Sequence, residues 1–197
     1  MSRLVFLVGA GLLLSACAST SPPPGDGAPP WASLTSPTAA LTVVLDEVCL
    51  PAVMDGRPIR ELAVARYLRP VAPATTGSPM AVSAWRLASW HNIHVMELLN
   101  GGCSASIEAG DPEDLAAAAV AMLKARGAFA AGAVTPTADG DAENTAWCTP
   151  EASQPVVAGV VRRTGGRRVA LLLNLFRARD ARPAFCPSID GARALIG

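Results

Sequence analysis

The sequence has little charge, few aromatic rings and few residues that carry acid–base chemistry. Of its 197 residues 16% are charged and 5% aromatic, with two histidines and one tyrosine. Sixteen basic and sixteen acidic side chains cancel to zero net charge, which excludes the broad basic excess of a nucleic-acid binder. Lys124 is the single lysine, so the positive charge is almost all arginine. Low charge beside 51% hydrophobic residues excludes a disordered polyelectrolyte. There is no Gly-x-Ser-x-Gly elbow, no Cys-x-x-Cys pair, no internal repeat, and no glycine loop leading into a helix that would cradle a phosphate. The length suits one domain.

What is present begins at the N-terminus. Arg3 supplies a positive start, and Leu4 to Leu14 is an uncharged apolar run of 11 residues. A helix needs about 20 residues to span the hydrocarbon core, so this run reads as a secretory signal. It closes on Leu14-Ser15-Ala16-Cys17, which resembles the lipobox of bacterial lipoproteins. That resemblance implies cleavage before Cys17, with the Cys17 thiolate as the nucleophile that takes the lipid. An ordinary secretory signal followed by a chance cysteine is the plainer alternative. Two or three acyl chains would anchor the protein, since a single chain binds only marginally. Ala18 after the lipidated residue implies, by resemblance to enteric lipoproteins, the outer membrane with the domain facing the periplasm. The expected organisation is a signal peptide over 1–16, a lipidated cysteine and Pro/Ser-rich tether over 17–36, and one domain over 37–197. Pro22-Pro23-Pro24 and Pro29-Pro30 disfavour a packed element in the tether, which extended could reach roughly 60 Å.

Setting Cys17 aside leaves Cys49, Cys103, Cys148 and Cys186. Four thiols in an exported domain read as two disulfides, and three pairings are open. The favoured one is Cys49–Cys103 with Cys148–Cys186. The first would pin the opening helix to the sheet, and the second would staple a late loop to the C-terminal tail. A zinc site lacks support, because no histidine lies within four residues of these cysteines.

Ser36-Pro37 opens a helix whose apolar face is Leu41, Val44, Leu45, Val48 and Cys49, with Pro51 and Asp55-Gly56 ending or kinking it. A shorter helix is expected from about Pro58 to Tyr67, then a loop from Arg69 to Pro79. Strands are expected at Trp85–Leu87, Ile93–Leu99 and Cys103–Glu108, the last two joined by Asn100-Gly101-Gly102. Asp111-Pro112-Glu113-Asp114 starts a helix that Gly127 ends. A loop is expected over Ala128–Asn144. A hairpin of Val156–Arg163 and Arg167–Arg177 turns at Thr164-Gly165-Gly166. The expectation is an α+β two-layer domain: an antiparallel sheet of about five strands, packed by two or three helices and stapled by disulfides.

Candidate chemistry is sparse. His91 and His94 lie three apart, which in a strand points the rings to opposite faces and disfavours a shared metal. Asp139, Asp141 and Glu143 fall in a polar stretch that lacks a full calcium-loop pattern. They are the best candidates for a hydrolase carboxylate pair. No cofactor and no metal site is expected. The uneven feature is charge: nine acids against Lys124 and Arg126 between Glu97 and Glu151, then eight arginines against Asp180 and Asp190 from Val156 onward. Arg162, Arg163, Arg167 and Arg168 cluster at one hairpin end. Arginine forks suit phosphate and carboxylate, so this tip is a candidate site for an anionic lipid headgroup or an acidic envelope protein. The plainer reading is a solvated hairpin end paired with the domain's own acids.

From about Val43 to Phe176 the chain resembles small exported proteins of alphaproteobacteria. The residues that carry the resemblance are the cysteine-bearing first helix, the tryptophan strand, Gly101-Gly102-Cys103 and Gly110-Asp111-Pro112. It implies a fold class and no reaction. The sequence therefore points to a membrane-anchored lipoprotein that acts as a non-enzymatic binding or envelope-assembly module, with a hydrolase of an envelope polymer as the alternative.

Overall fold

A computed structural model of the chain describes residues 36–87, 92–127, 129–136, 140–150, 154–163, 169–179 and 182–187. The expected signal, Cys17, the tether up to residue 35, His91, Asp139, the expected turn at Thr164-Gly165-Gly166, and Arg167 and Arg168 lie outside the described residues.

The chain enters the domain at Ser36, whose Oγ accepts a hydrogen bond from Ala39 N and caps the opening helix, with Pro37 in its first turn. This helix runs from Pro37 to Met54 and is long and apolar enough to cross a membrane, with a mean hydropathy of 1.5, yet 50% of it is buried inside the domain. Leu41, Leu45 and Cys49 are fully buried, so its apolar side is spent on the core. Pro51 does not end the helix. A π turn over Leu45–Cys49, in which Leu50 N donates to Leu45 O, precedes it. The widened turn makes room where the proline ring would meet the preceding carbonyl. A second helix, Ile59–Ala65, buries Ile59, Leu62 and Ala63.

One eight-stranded sheet follows, antiparallel throughout, in the order β1-β2-β3-β4-β8-β7-β6-β5. Its strands are β1 (Arg69–Val71), β2 (Ala81–Arg86), β3 (Ile93–Leu98), β4 (Cys103–Ile107), β5 (Ala130–Pro136), β6 (Ala142–Cys148), β7 (Val156–Arg163) and β8 (Leu171–Arg177). The third helix, Pro112–Gly127, links two four-stranded runs that meet at the central pair β4–β8. Asp111 Oδ1 accepts from Glu113 N and Asp114 N at its start, as the sequence led one to expect.

The α+β class, the antiparallel sheet and the two disulfides agree with expectation; the strand count does not. The sheet has eight strands where about five were expected, because β1 and β5 fall in stretches read as loops and β6 runs from the end of that second loop through residues assigned to no element. β1 contains Pro70, tolerable because β1 is an edge strand. β5 contains alanines, Gly132 and Pro136, and β6 reads Ala-Glu-Asn-Thr-Ala-Trp-Cys. These residues have weak strand preference, and neighbouring strands supply the order instead. β2 also begins earlier than Trp85, and β8 later than Arg167. In the Asn100–Gly102 turn the two glycines do different work. Gly101 takes a left-handed φ of 77°. A side chain on Gly102 would stand 2.6 Å from the Leu175 carbonyl of β8.

Strand alternation gives the sheet two unlike faces. Ile93, Val95, Cys103, Ala105, Ile107, Val156, Ala158, Val160, Leu171, Leu173 and Leu175 join the helices in one core. Cys49–Cys103 ties the opening helix to β4 on this side. Cys148–Cys186 lies on the opposite face with Val157 and Phe176.

Candidate functional site

Several charged groups on the helix-packed side are paired, while Trp147 Nε1 is buried there without a hydrogen-bond partner among the described residues. Arg162 pairs with Glu113 at the start of the third helix and with Glu143 on β6 at 3.3 Å. Arg177 donates to the Val53 and Met54 carbonyls, closing the end of the opening helix. Arg66 meets Glu47 at 2.8 Å. Arg126 Nε meets Asp46 at 2.6 Å, and that hydrogen bond raises the guanidinium pKa above its ordinary value. Lys124 stands 5.4 Å from the Trp147 ring centroid, a cation–π contact between helix and sheet.

The other face carries no α-helix among the described residues and is helix-free in that sense; the 3-10 turn Pro73–Thr76 lies against it. Register places one row of side chains across it: Arg69 opposite Arg86, Arg86 opposite His94, and His94 opposite Ser106. The row continues through Leu172 and Val161 to Asn144. The next row sets Met96 beside Ser104 and Ser104 beside Asn174. Ser104 and Ser106 are 1% and 4% exposed, deeply buried on a face that no α-helix covers. Ser104 Oγ donates to the Leu173 carbonyl, which leaves its lone pairs as acceptors.

Two cavities share this floor. One, of about 550 Å³, lies between the Ala74–Pro79 crossing and the residues Met96, Ser104, Ser106, Glu108, Arg163, Leu172 and Asn174. The second, of about 290 Å³, is lined by Asn144, Ala146, Val157, Gly159, Val161, Phe176 and Phe185, and again by Asn174. Both volumes are near or within the usual range of small-ligand sites. The Phe185 stretch is held there by Cys148–Cys186 and by Arg182, which donates to the Thr149 and Pro187 carbonyls. Gly132 permits that approach, since a side chain there would stand 2.4 Å from the Phe185 carbonyl.

Among the described residues, three polar atoms on this face are buried without a hydrogen-bond partner: Arg86 Nε, Arg163 Nε and Asn144 Oδ1. Buried polar atoms are nearly always satisfied, so three on one face with two cavities make that face the candidate site.

The arginine cluster expected from sequence is divided. Alternation along β7 sends Arg162 to the helix side, where its acids hold it, and Arg163 into the larger cavity. Arg167 and Arg168 lie outside the described residues. His94 is 8% exposed, between Arg86 and Ser106. Glu143 is engaged by Arg162, and Asp141 lies in the turn before β6 and lines neither cavity. Among the described residues no group of three or more histidines, cysteines or acids is placed to hold a metal. The disulfides are the favoured pair, Cys49–Cys103 and Cys148–Cys186. Sequence reasoning missed Ser104, Ser106, Asn144, Asn174 and Arg86. Their one sequence signal is small polar residues at every second position of apolar strands, as in Cys-Ser-Ala-Ser-Ile. Searches of protein-family models, curated proteins and solved structures find nothing that matches the chain.

Proposed function

We propose that the chain is a lipoprotein held on the outer membrane through acylated Cys17, with its domain facing the periplasm as a non-enzymatic binding or envelope-assembly module. The helix-free face of the sheet is its receiving surface. The anchor rests on Leu14-Ser15-Ala16-Cys17 at the end of an apolar run of 11 residues. The binding role rests on one observation: two adjoining cavities whose floor holds buried polar atoms with no partner. The hydrolase reading has less support, because a glycosidase needs two carboxylates across one cleft and Glu143 is tied to Arg162 on the other side of the sheet.

The test has two parts. Labelled palmitate should enter the wild-type chain, and Cys17→Ser should move the protein out of the membrane fraction. An unlabelled wild-type chain with unchanged partition of the variant would end the anchor reading. A photo-crosslinker placed at Thr76, on the rim of the larger cavity, should give envelope adducts that one at Glu61 does not. Equal yields from both positions would end the assignment of the helix-free face.

A further inference from the structure

The unmet hydrogen-bonding capacity of the helix-free face specifies what would fill it. Arg163 lines the larger cavity with its Nε buried and without a partner. Arg86 lies on the same face with its Nε in the same condition, and Arg69 stands directly opposite it in register. Like charges set opposite one another across two strands are unfavourable unless an anion relieves them. Of these three arginines Arg163 alone lines a cavity, and that cavity also holds one carboxylate among the described residues, Glu108. The balance differs on the helix side, where Arg162, Arg66 and Arg126 each hold an acid. Unmet donors on a guanidinium call for phosphate or carboxylate oxygens.

The rest of the floor calls for donors. Asn144 Oδ1 is buried without a partner, and Ser104 Oγ has already given its hydrogen to Leu173 O. Both accept. Hydroxyl groups meet such acceptors and can also take hydrogen bonds from the amide of Asn174, which lines both cavities. A simple inorganic anion would satisfy Arg163 and leave these acceptors unmet.

We infer that the two cavities form one site for a small anion that also carries hydroxyl groups, of the sugar-phosphate or sugar-acid kind. Its anionic group lies on Arg163, and its hydroxyls on Ser104, Asn174 and Asn144. This rests on the binding reading above and names its ligand class.

The experiment is calorimetric titration of the full-length protein in a neutral detergent with glucose 6-phosphate, glucuronate, glycerol 3-phosphate and uncharged glucose. At least one of the anions should bind roughly tenfold or more tightly than glucose, a difference of about 1.4 kcal/mol. Glycerol 3-phosphate as the tightest probe would assign the site to a lipid headgroup, and either sugar to a free saccharide. Arg163→Gln should remove the preference for the anion, and Arg163→Lys should restore part of it. Arg162→Gln, one residue away on the opposite face, should stay within about twofold of wild type. Thermal unfolding of each variant separates lost binding from lost folding. Equal affinity for glucose and all three anions, equal loss in Arg162→Gln and Arg163→Gln, or no saturable binding up to about 10 mM would overturn the inference. Thr76 adducts without anion affinity would end this inference and leave the binding reading standing.

Discussion

The two faces of the sheet differ in how their arginines are answered. On the helix side Leu171, Leu173 and Leu175 are fully buried, and Arg162 and Arg177 reach acids or helix-end carbonyls. On the other face serines are buried beside cavities, and Arg86, Arg163 and Asn144 hold polar atoms that nothing meets. An unmet buried polar atom costs about 1–3 kcal/mol. The helix side carries one such atom, Trp147 Nε1, and the other face three, two of them on arginines, which is what supports the binding reading proposed for that face. The lesson is that the packed layer and the cavity-bearing layer share the same strands and are separated only by residue parity.

The disulfides test that division most strongly, since one lies on each face. Replacing Cys49 and Cys103 by alanine should cost about 4 kcal/mol in urea unfolding, from the chain entropy of a separation of 54. Replacing Cys148 and Cys186 has a similar ceiling, with a separation of 38. It should nonetheless cost less than half as much, because the Phe185 stretch can lift from the helix-free face while the core stays closed. Its expected signature is faster amide exchange around Phe185. Equal losses in global stability would erase the contrast.

The central strand offers a finer comparison. Leu173→Ala, on the core side of β8, should destabilise by about 3 kcal/mol. Leu172→Ala, which faces the cavity, should cost under about 1.5 kcal/mol. Chemical denaturation of both reads the difference, and a reversed order would mean that the packed layer has been assigned to the wrong face.

The smallest expected effect lies off both faces. Tyr67 has a φ of 55° just beyond the second helix, where Leu68 N donates to Ala63 O. Glycine suits this position better, so Tyr67→Gly should stabilise by about 0.5–1 kcal/mol in thermal unfolding. Its ligand affinity should not change. A loss of affinity would extend the functional surface beyond the sheet.

The elements most legible in the sequence were those with local signals. Ser36-Pro37 and Asp111-Pro112 announced their helices because capping is a matter of one side chain and the next few amides. Asn100-Gly101-Gly102 announced a hairpin for the same reason. β5 and β6 were illegible because alanine, glycine and asparagine say little about strands until neighbours pair with them. The site was least legible. Arg162 and Arg163 look equivalent as neighbours in sequence, and strand parity places one beside Glu113 and the other in a cavity.

By itself the sequence determined the apolar run Leu4–Leu14 ahead of Cys17, the helix starts, the α+β class and a favoured one of three cysteine pairings. All but the pairing follow from composition or from contacts within a few residues, and the pairing was settled by the fold, which brings Cys49 to Cys103 and Cys148 to Cys186. Only the tertiary structure decided that the sheet has eight strands, that the proline-bearing helix runs on through a π turn, and which arginine is held and which is left unmet. Those outcomes depend on register between strands far apart in the chain. A shift of one residue in that register would exchange the two faces.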